Sequence, residues 1–216
     1  MALFGTVHWK GTSGRRMVSF TFDDGPHPVN TPRLLDILAA HGATATFFMT
    51  GANVARFPEL VRDVAARGHE IGCHSFNHCR NRTMFAIPGR QMQEIRATNA
   101  LIERATGKAV TLYRPPHGLV SPLLLPVCWR LSLKIVLWNL NSYDFRHEHD
   151  SVVVARIKKR LADGAILLFH ECHHRDATID YSYTARALDQ VLAQCRSANL
   201  ESVTVSRLLG LEGGCL

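Results

Sequence analysis

The chain has 216 residues, of which 46% are hydrophobic and 20% are charged, and its formal net charge is +7 with neutral histidines. This composition excludes a disordered chain and fits one globular domain with a large core. The basic residues are scattered, and their densest run, residues 158–160, falls in a helical pattern. We interpret that run as a solvated helix face, so we expect no nucleic acid partner.

The cysteines and the N-terminal segment indicate in which cellular compartment the protein is expected. None of the six cysteines forms a C-x-x-C pair, and their scatter fits free thiols in a reducing environment. Residues 1–16 lack an apolar core long enough for a signal peptide, and no stretch approaches a membrane span. We therefore expect a cytoplasmic protein without a transmembrane segment.

Short apolar runs alternate with amphipathic segments along the chain. The predicted strands cover residues 18–22, 43–51, 69–74, 111–116, 134–140, 165–170 and 201–209. The predicted helices cover residues 31–42, 58–68, 89–107, 121–132, 151–164 and 183–199. This alternation predicts an α/β fold, a (β/α) barrel with about seven parallel strands, in a single domain over residues 1–216.

Polar residues with catalytic potential fall where these strands end, which is the side of a (β/α) barrel that carries active sites. They are Asp23 and Asp24 after the first strand, His74 after the third, Arg114 in the fourth, Asp144 beyond the fifth and His170 at the end of the sixth. We expect these side chains to converge at one end of the barrel.

The stretch HSFNH places His74 and His78 four residues apart, so both imidazoles can reach one ion. A carboxylate from the first strand would complete a site with two histidines and one aspartate. Such a site leaves coordination positions open for water and substrate, as catalytic zinc requires. The alternative interpretation is a pair of exposed loop histidines.

Five stretches, TFDDGP, HSFNH, RPPHG, the segment 138–145 and LLFH, resemble in order the five motifs of the polysaccharide deacetylases, also called carbohydrate esterase family 4 or the NodB homology family. The resemblance covers about residues 17–209 and is nearest to short bacterial members, including chitooligosaccharide deacetylases. It implies a distorted (β/α) barrel, in agreement with the strand count.

The resemblance assigns different roles to the two adjacent aspartates. It implies that Asp24, His74 and His78 bind the metal and that Asp23 is the general base. A divalent cation makes two neighbouring carboxylates tolerable because its charge outweighs their repulsion. Arg114 matches the residue that orients the base, for which a guanidinium fork is suited. The alternative for Arg114 is a surface ion pair in a rigid turn.

The resemblance also assigns the residues around the leaving group. His170 matches the general acid, and Asp144 matches the carboxylate that tunes it; the alternative for Asp144 is a helix cap or turn residue. Leu168 matches the apolar contact for the acetyl methyl group. It points the same way as His170, because side chains two apart in a strand share a face.

This chain departs from the family pattern at several positions. His117 stands where tyrosine is usual, although its backbone N–H could still bind the oxyanion beside the rigid Pro116. Phe145 replaces a tryptophan of the acyl pocket, and Asn139 and Asn141 occupy positions that are often aspartate. In HECHH, residues 170–174, we interpret the residues after the first histidine as loop residues and not as a second metal site.

The resemblance implies hydrolysis of N-acetyl groups on oligo- or polysaccharides that contain N-acetylglucosamine, with an amino-sugar glycan or glycoconjugate as partner. One divalent ion is implied; zinc suits the ligands best, and cobalt, nickel or manganese also fit. The alternatives are a deacylase or deformylase for another small or lipid-linked amide, and a catalytically silent sugar-binding protein. The oligomeric state is left open.

Overall fold

The computed structural model describes residues 7–12, 14–78, 88–173, 176 and 178–212. Its strands are β1 Val7–His8, β2 Met17–Asp23, β3 Thr46–Met49, β4 Glu70–Cys73, β5 Leu112–Tyr113, β6 Lys134–Val136, β7 Leu140–Asn141, β8 Ile166–His170 and β9 Glu201–Ser202. Its helices are α1 Asn30–Ala40, α2 Gly51–Arg56, α3 Pro58–Ala66, α4 Pro88–Thr106, α5 Leu124–Arg130, α6 Asp150–Lys158, α7 Ser182–Ser197 and α8 Val205–Leu209. None of the helices within these ranges is long and apolar enough to cross a bilayer.

The strands form one curled sheet in the order β1-β6-β5-β4-β3-β2-β8-β7, and β9 pairs with β2 away from this path. Every pairing found between these strands is parallel. Helices separate most of the strands, because a parallel pair needs a long crossover. The predicted α/β class and distorted barrel are confirmed.

Strand β2 lies inside the sheet, between β3 and β8, and is buried at all seven positions. The run VSFTF alternates apolar residues with the small polar Ser19 and Thr21, and the Thr21 hydroxyl can be buried because it donates to the Leu167 backbone oxygen at 2.6 Å. Its Phe20 and Phe22 lie near Phe169 of β8, with ring centroids 6.0 and 5.9 Å away. Because β2 and β8 pair in parallel, with Asp23 opposite His170, their carboxyl ends lie on the same side, and this aromatic packing supports the pairing.

The last predicted strand, residues 201–209, is wrong over most of its length. Only Glu201–Ser202 is a strand, and helix α8 follows at Val205–Leu209. Thr204 caps that helix by accepting from the Arg207 N–H at 3.2 Å. Gly210 ends it with a φ of 67°, a left-handed conformation that favours glycine. Local capping therefore overrode an apolar pattern that also suits a strand.

A second difference concerns residues 43–51. The strand ends at Met49, and helix α2 begins at Gly51, where the sequence pattern predicted no helix. The approach of Phe76 and Thr98 requires a glycine there, since a Cβ at residue 51 would lie 2.4 Å from atoms of both side chains. This short helix brings Asn53 beside the end of β2.

Candidate active site

The predicted site residues meet at the carboxyl ends of the strands, around a cavity of about 420 Å³. The residues lining the cavity are Asp23, Asp24, His74, His78, His117, Trp138, Asn141, Phe145, Leu168, His170, His173 and Tyr181. Arg114 and Asp144 lie behind this wall, fully buried. Pro116 is buried in the 3₁₀ turn Pro116–Gly118 and is not among the lining residues. The volume falls in the range of small-molecule sites.

Asp24, His74 and His78 form a buried cluster whose possible ligand atoms lie within 4.8 Å of one another. Asp24 Oδ1 lies 3.4 Å from His78 Nε2 and 3.6 Å from His74 Nε2. Two ligand atoms of one tetrahedral zinc ion are about 3.3 Å apart. Asp24 Oδ1 is buried and makes no hydrogen bond with the described residues. An ion between these atoms would satisfy it, so the cluster fits a divalent metal.

His74 is held in the tautomer that metal binding needs. Its Nδ1 lies 2.7 Å from the Arg114 backbone oxygen. A carbonyl only accepts, so Nδ1 carries the proton and the Nε2 lone pair faces Asp24. Burial lowers the pKa of His74 to about 4, against the attraction of Asp23. The ring is therefore neutral near pH 7, as a ligand must be.

Asp24 occupies a bend directly after β2, with a φ of 74°. Its backbone oxygen accepts from Asn53 Nδ2 at 2.8 Å and from the Cys172 thiol at 3.4 Å. Burial raises the pKa of Asp24 to about 7 in the absence of an ion, although His170 opposes the rise. A bound cation would reverse this effect and favour the carboxylate.

Asp23 has a different partner. Its Oδ1 accepts from Arg114 Nη1 at 2.7 Å. Its Oδ2 lies 3.6 Å from His74 Nε2, on the side of the possible metal ligands. The guanidinium is 0% exposed. It also donates to the backbone oxygens of Val136 at 3.1 Å and Leu137 at 3.0 Å. Arg114 is thus a buried orienting group and not part of a surface ion pair, and it fixes one Asp23 oxygen while the other faces the site.

Asp144 and His170 form a second buried pair. Asp144 Oδ1 lies 2.7 Å from His170 Nδ1, and Oδ2 accepts from the His170 backbone N–H at 2.8 Å. Burial alone would lower the pKa of His170, but the Asp144 carboxylate outweighs it and raises the value to about 9. The ring is therefore protonated near pH 7. Asp144 also begins a 3₁₀ turn, so the turn interpretation holds alongside the pairing.

The walls around the cavity are mostly aromatic. Phe145 is 43% exposed, and its ring meets the His170 ring edge-on with centroids 5.8 Å apart. His117 packs on His78 with centroids 4.6 Å apart and has a φ of 57°. Gly118 lets Trp138 approach, because a Cβ there would lie 2.7 Å from that indole. Leu168 lies in the cavity wall two residues before His170, as predicted.

Several contributors were missed by sequence reasoning. Trp138, His173 and Tyr181 line the cavity. His173 was predicted only as a loop residue, and His174 lies outside the described residues. No local pattern marks Tyr181, which precedes helix α7 and comes from a distant part of the chain. The four described cysteines are free, as predicted, and all four are buried. Cys79 and Cys215 lie outside the described residues.

Glu171 explains why glycine follows the two aspartates. It is fully buried, its N–H donates to the Asp23 backbone oxygen at 3.0 Å, and its Oε2 accepts from the Thr31 hydroxyl. A Cβ at Gly25 would lie 1.7 Å from Glu171 Oε1, so a larger residue there would force the Glu171 carboxyl group to shift. Burial raises the pKa of Glu171 to about 8. The closeness of Oε1 to Gly25 shows that this carboxyl group packs directly against the loop that carries Asp23 and Asp24.

The fold and the site define an incomplete (β/α) barrel in which, among the described residues, a cluster that fits a metal ion lies at the carboxyl ends of the strands. The sequence profile of the polysaccharide deacetylases matches residues 10–136. The chain belongs to this family.

Named relatives agree with this assignment. A peptidoglycan-N-acetylglucosamine deacetylase of Bacillus cereus is 32% identical over 212 residues, covering 95% of this chain and 93% of its own. One from Listeria monocytogenes is 32% identical over 195 residues, covering 90% of this chain. The match spans 39% of that Listeria protein's length. The solved structure of the Bc1960 peptidoglycan N-acetylglucosamine deacetylase is 26% identical, with a TM-score of 0.86, and covers 95% of this chain and 94% of its own.

Proposed function

We propose that the protein is a metal-dependent hydrolase that removes N-acetyl groups from oligo- or polysaccharides containing N-acetylglucosamine. One observation carries the proposal: the Arg114-bound carboxylate of Asp23 and the Asp144-bound imidazole of His170 line the same cavity as the Asp24, His74 and His78 cluster. A base, an acid and a metal site are the parts that amide hydrolysis by water needs. Relatives named as deacetylases of N-acetylglucosamine glycans support the substrate class.

In this proposal Asp23 takes the proton of the attacking water. A divalent ion held by Asp24, His74 and His78 would polarise the amide carbonyl and acidify that water. Arg114 donates to Asp23 Oδ1. This leaves Oδ2, which lies near His74, to accept the proton. The guanidinium also holds the base in one orientation, because its donated hydrogen bond fixes Oδ1.

His170 donates the proton that the leaving amine requires. Its pKa of about 9 keeps the imidazole charged at neutral pH, so the acid is ready when the carbon–nitrogen bond breaks. Asp144 holds Nδ1, and Nε2 is left to reach the substrate nitrogen. The backbone N–H of His117 would donate to the developing oxyanion. Leu168 and Phe145 would enclose the acetyl methyl group, with Pro116 stiffening the turn beside them.

We propose zinc as the ion, because two imidazoles and one carboxylate are ligands that zinc prefers and three protein ligands leave an open position. Cobalt, nickel and manganese can occupy similar donor sets. Metal analysis of the protein as purified, followed by activity after reloading the chelated protein with each ion, would rank them.

The test is incubation of the zinc-loaded protein with N-acetylglucosamine oligomers and mass spectrometry of the products, beside a chelated sample. Metal-dependent loss of acetyl groups is expected. No loss with any of the four metals, from protein that binds one ion, would overturn the proposed substrate. The assay would then move to other amides, because Phe145 sets a pocket different from that of the family pattern. Binding of the oligomers without turnover would favour a silent sugar-binding protein.

A further inference from the structure

The Asp144 carboxylate has a second neighbour besides His170. The Thr184 hydroxyl, from the first turn of α7, lies 3.2 Å from Asp144 Oδ2 and donates to it. The same oxygen accepts from the His170 backbone N–H at 2.8 Å, and Oδ1 faces His170 Nδ1 at 2.7 Å. Thr184 is 1% exposed and Asp144 is 0% exposed, so water does not replace this donor.

Tyr183, the neighbour of Thr184 in α7, holds the backbone of Asp144. Its hydroxyl donates to the Asp144 backbone oxygen at 2.9 Å and lies 2.9 Å from His147 Nδ1. The segment that it grips bends sharply, with φ values of 56° at Tyr143 and 55° at His147. Conformations of this kind persist only where the surroundings support them. One end of α7 thus fixes both the main chain and the side chain of Asp144.

We propose that Thr184 is a positioning residue for the proposed general acid His170 and acts on it through Asp144. Without Thr184, the His170 backbone N–H would be the one donor that holds Asp144 Oδ2 among the described residues. A second donor at Oδ2, from a different direction, restricts rotation of the carboxylate and keeps Oδ1 on Nδ1. The imidazole ring, and with it Nε2, then points into the cavity. Tyr183 supports the same arrangement by anchoring the backbone.

This role can be separated from simple packing because threonine has two close analogues. Valine keeps the shape and the buried methyl group but replaces the hydroxyl with a second methyl group, whereas serine keeps the hydroxyl and removes the methyl group. Packing predicts that Thr184→Ser is the more harmful change. Positioning through the hydroxyl predicts that Thr184→Val is the more harmful one.

The experiment compares kcat and KM of the zinc-loaded wild type, Thr184→Val and Thr184→Ser on N-acetylglucosamine oligomers. The control is Thr106→Val, because the hydrogen bonds found for the Thr106 hydroxyl among the described residues all go to backbone groups at its own helix end: it donates to the oxygens of Ile102 and Lys108 and accepts from the Lys108 N–H. We expect Thr184→Val to lower kcat about 10-fold with KM nearly unchanged, because the lost bond orients the acid. Thr184→Ser and Thr106→Val should keep kcat within about twofold of the wild type.

A second readout does not need turnover. Proton NMR of the same proteins follows the hydrogen-bonded Nδ1 proton of His170, assigned by its absence in His170→Gln. We expect Thr184→Val to broaden or shift this resonance and Thr184→Ser to retain it. If Thr184→Val does not fold, Thr184→Ala compared with Thr184→Ser makes the same comparison.

Two results would overturn the inference: Thr184→Ser impaired as much as Thr184→Val, or Thr184→Val with wild-type kcat and an unchanged resonance. The inference rests on the proposed deacetylase function only for its kinetic part. If the wild type fails to release acetate from any oligomer, that function is wrong, and the NMR comparison alone decides whether Thr184 positions His170.

Discussion

Asp23 and Asp24 are adjacent in the chain, yet their carboxylates have different surroundings. Asp23 Oδ1 accepts from the buried Arg114 guanidinium at 2.7 Å. Asp24 Oδ1 makes no hydrogen bond with the described residues and lies 3.4 Å from His78 Nε2. The bend at Asp24, with its φ of 74°, separates the two side chains. The pair can therefore carry two roles, a proton acceptor and a metal ligand.

Replacement of Asp23 by asparagine should remove the base and leave the ion in place. The amide keeps the shape and can still face Arg114, but it cannot take a proton at neutral pH. We expect kcat to fall about 1,000-fold, within the range that general bases contribute. Metal content measured after dialysis should match the wild type. Asp36→Asn, at an exposed ion pair with Arg67, is the matched control and should keep full activity. Full activity of Asp23→Asn would exclude Asp23 as the base.

Replacement of Asp144 by asparagine should shift the pH dependence of the reaction. Burial lowers the pKa of His170, and the Asp144 carboxylate makes the largest contribution to raising it to about 9, with smaller contributions from Asp24 and Asp23. Without Asp144 the pKa should fall, so a smaller fraction of the acid should be protonated at pH 7. We expect the alkaline limb of the kcat profile to move to lower pH and activity at pH 7 to drop about 100-fold. An unchanged alkaline limb would contradict the assignment.

The same pKa predicts how stability depends on pH. Because the folded pKa of His170 lies above the unfolded value of 6.5, the pair contributes its full stabilisation below pH 6.5. This contribution should disappear as pH rises through about 9. Chemical denaturation of the chelated wild type between pH 6 and 10 would measure it, with Asp144→Asn as the reference that lacks this slope. Equal slopes for the two proteins would mean that the pair is not charged in the folded state.

Removal of the metal should cost both activity and stability. An ion that binds only the folded chain stabilises it by about 2.7 kcal/mol at a free concentration one hundred times its Kd. We expect chelation to abolish activity and lower Tm, and His78→Ala to show both losses without chelator. His149→Asn is the control, since His149 is 73% exposed on its side chain and asparagine can still cap α6. A Tm of the wild type that is insensitive to zinc would contradict a metal at Asp24, His74 and His78.

Replacement of Gly25 by alanine should disturb the site through Glu171. The new Cβ would overlap Glu171 Oε1, and overpacking of this kind costs about 1–3 kcal/mol. Gly89→Ala is the matched control, because nothing lies within 4 Å of a Cβ there, so the added methyl group should cause no overpacking. Denaturation of Gly25→Ala, Glu171→Ala and the double variant should show non-additive losses. Strict additivity would mean that the two residues do not compete for space.

Much of the site was predictable because its residues stand at strand ends. Apolar runs locate β2, β4 and β8, and parallel pairing then brings Asp23, His74 and His170 to one edge of the sheet. The two histidines of HSFNH, four residues apart, and the adjacent carboxylates of Asp23 and Asp24 indicate a possible metal site. Helix α8 could not be read from apolar content alone, since a run such as residues 201–209 suits a strand or a helix equally. Thr204 and Gly210 were the local signals that distinguished them.

By itself the sequence determined the α/β class, the positions of the main strands along the chain, and the residue types available for a metal, a base and an acid. These depend on burial patterns and spacings that are local in the chain. Only the tertiary structure decided that Arg114 serves Asp23, that Glu171 fills the space beside Gly25 and that Thr184 reaches Asp144 across 40 positions. Such contacts depend on the register between strands and on how α7 packs over the sheet, because the pairing of distant side chains leaves no periodic trace in the chain.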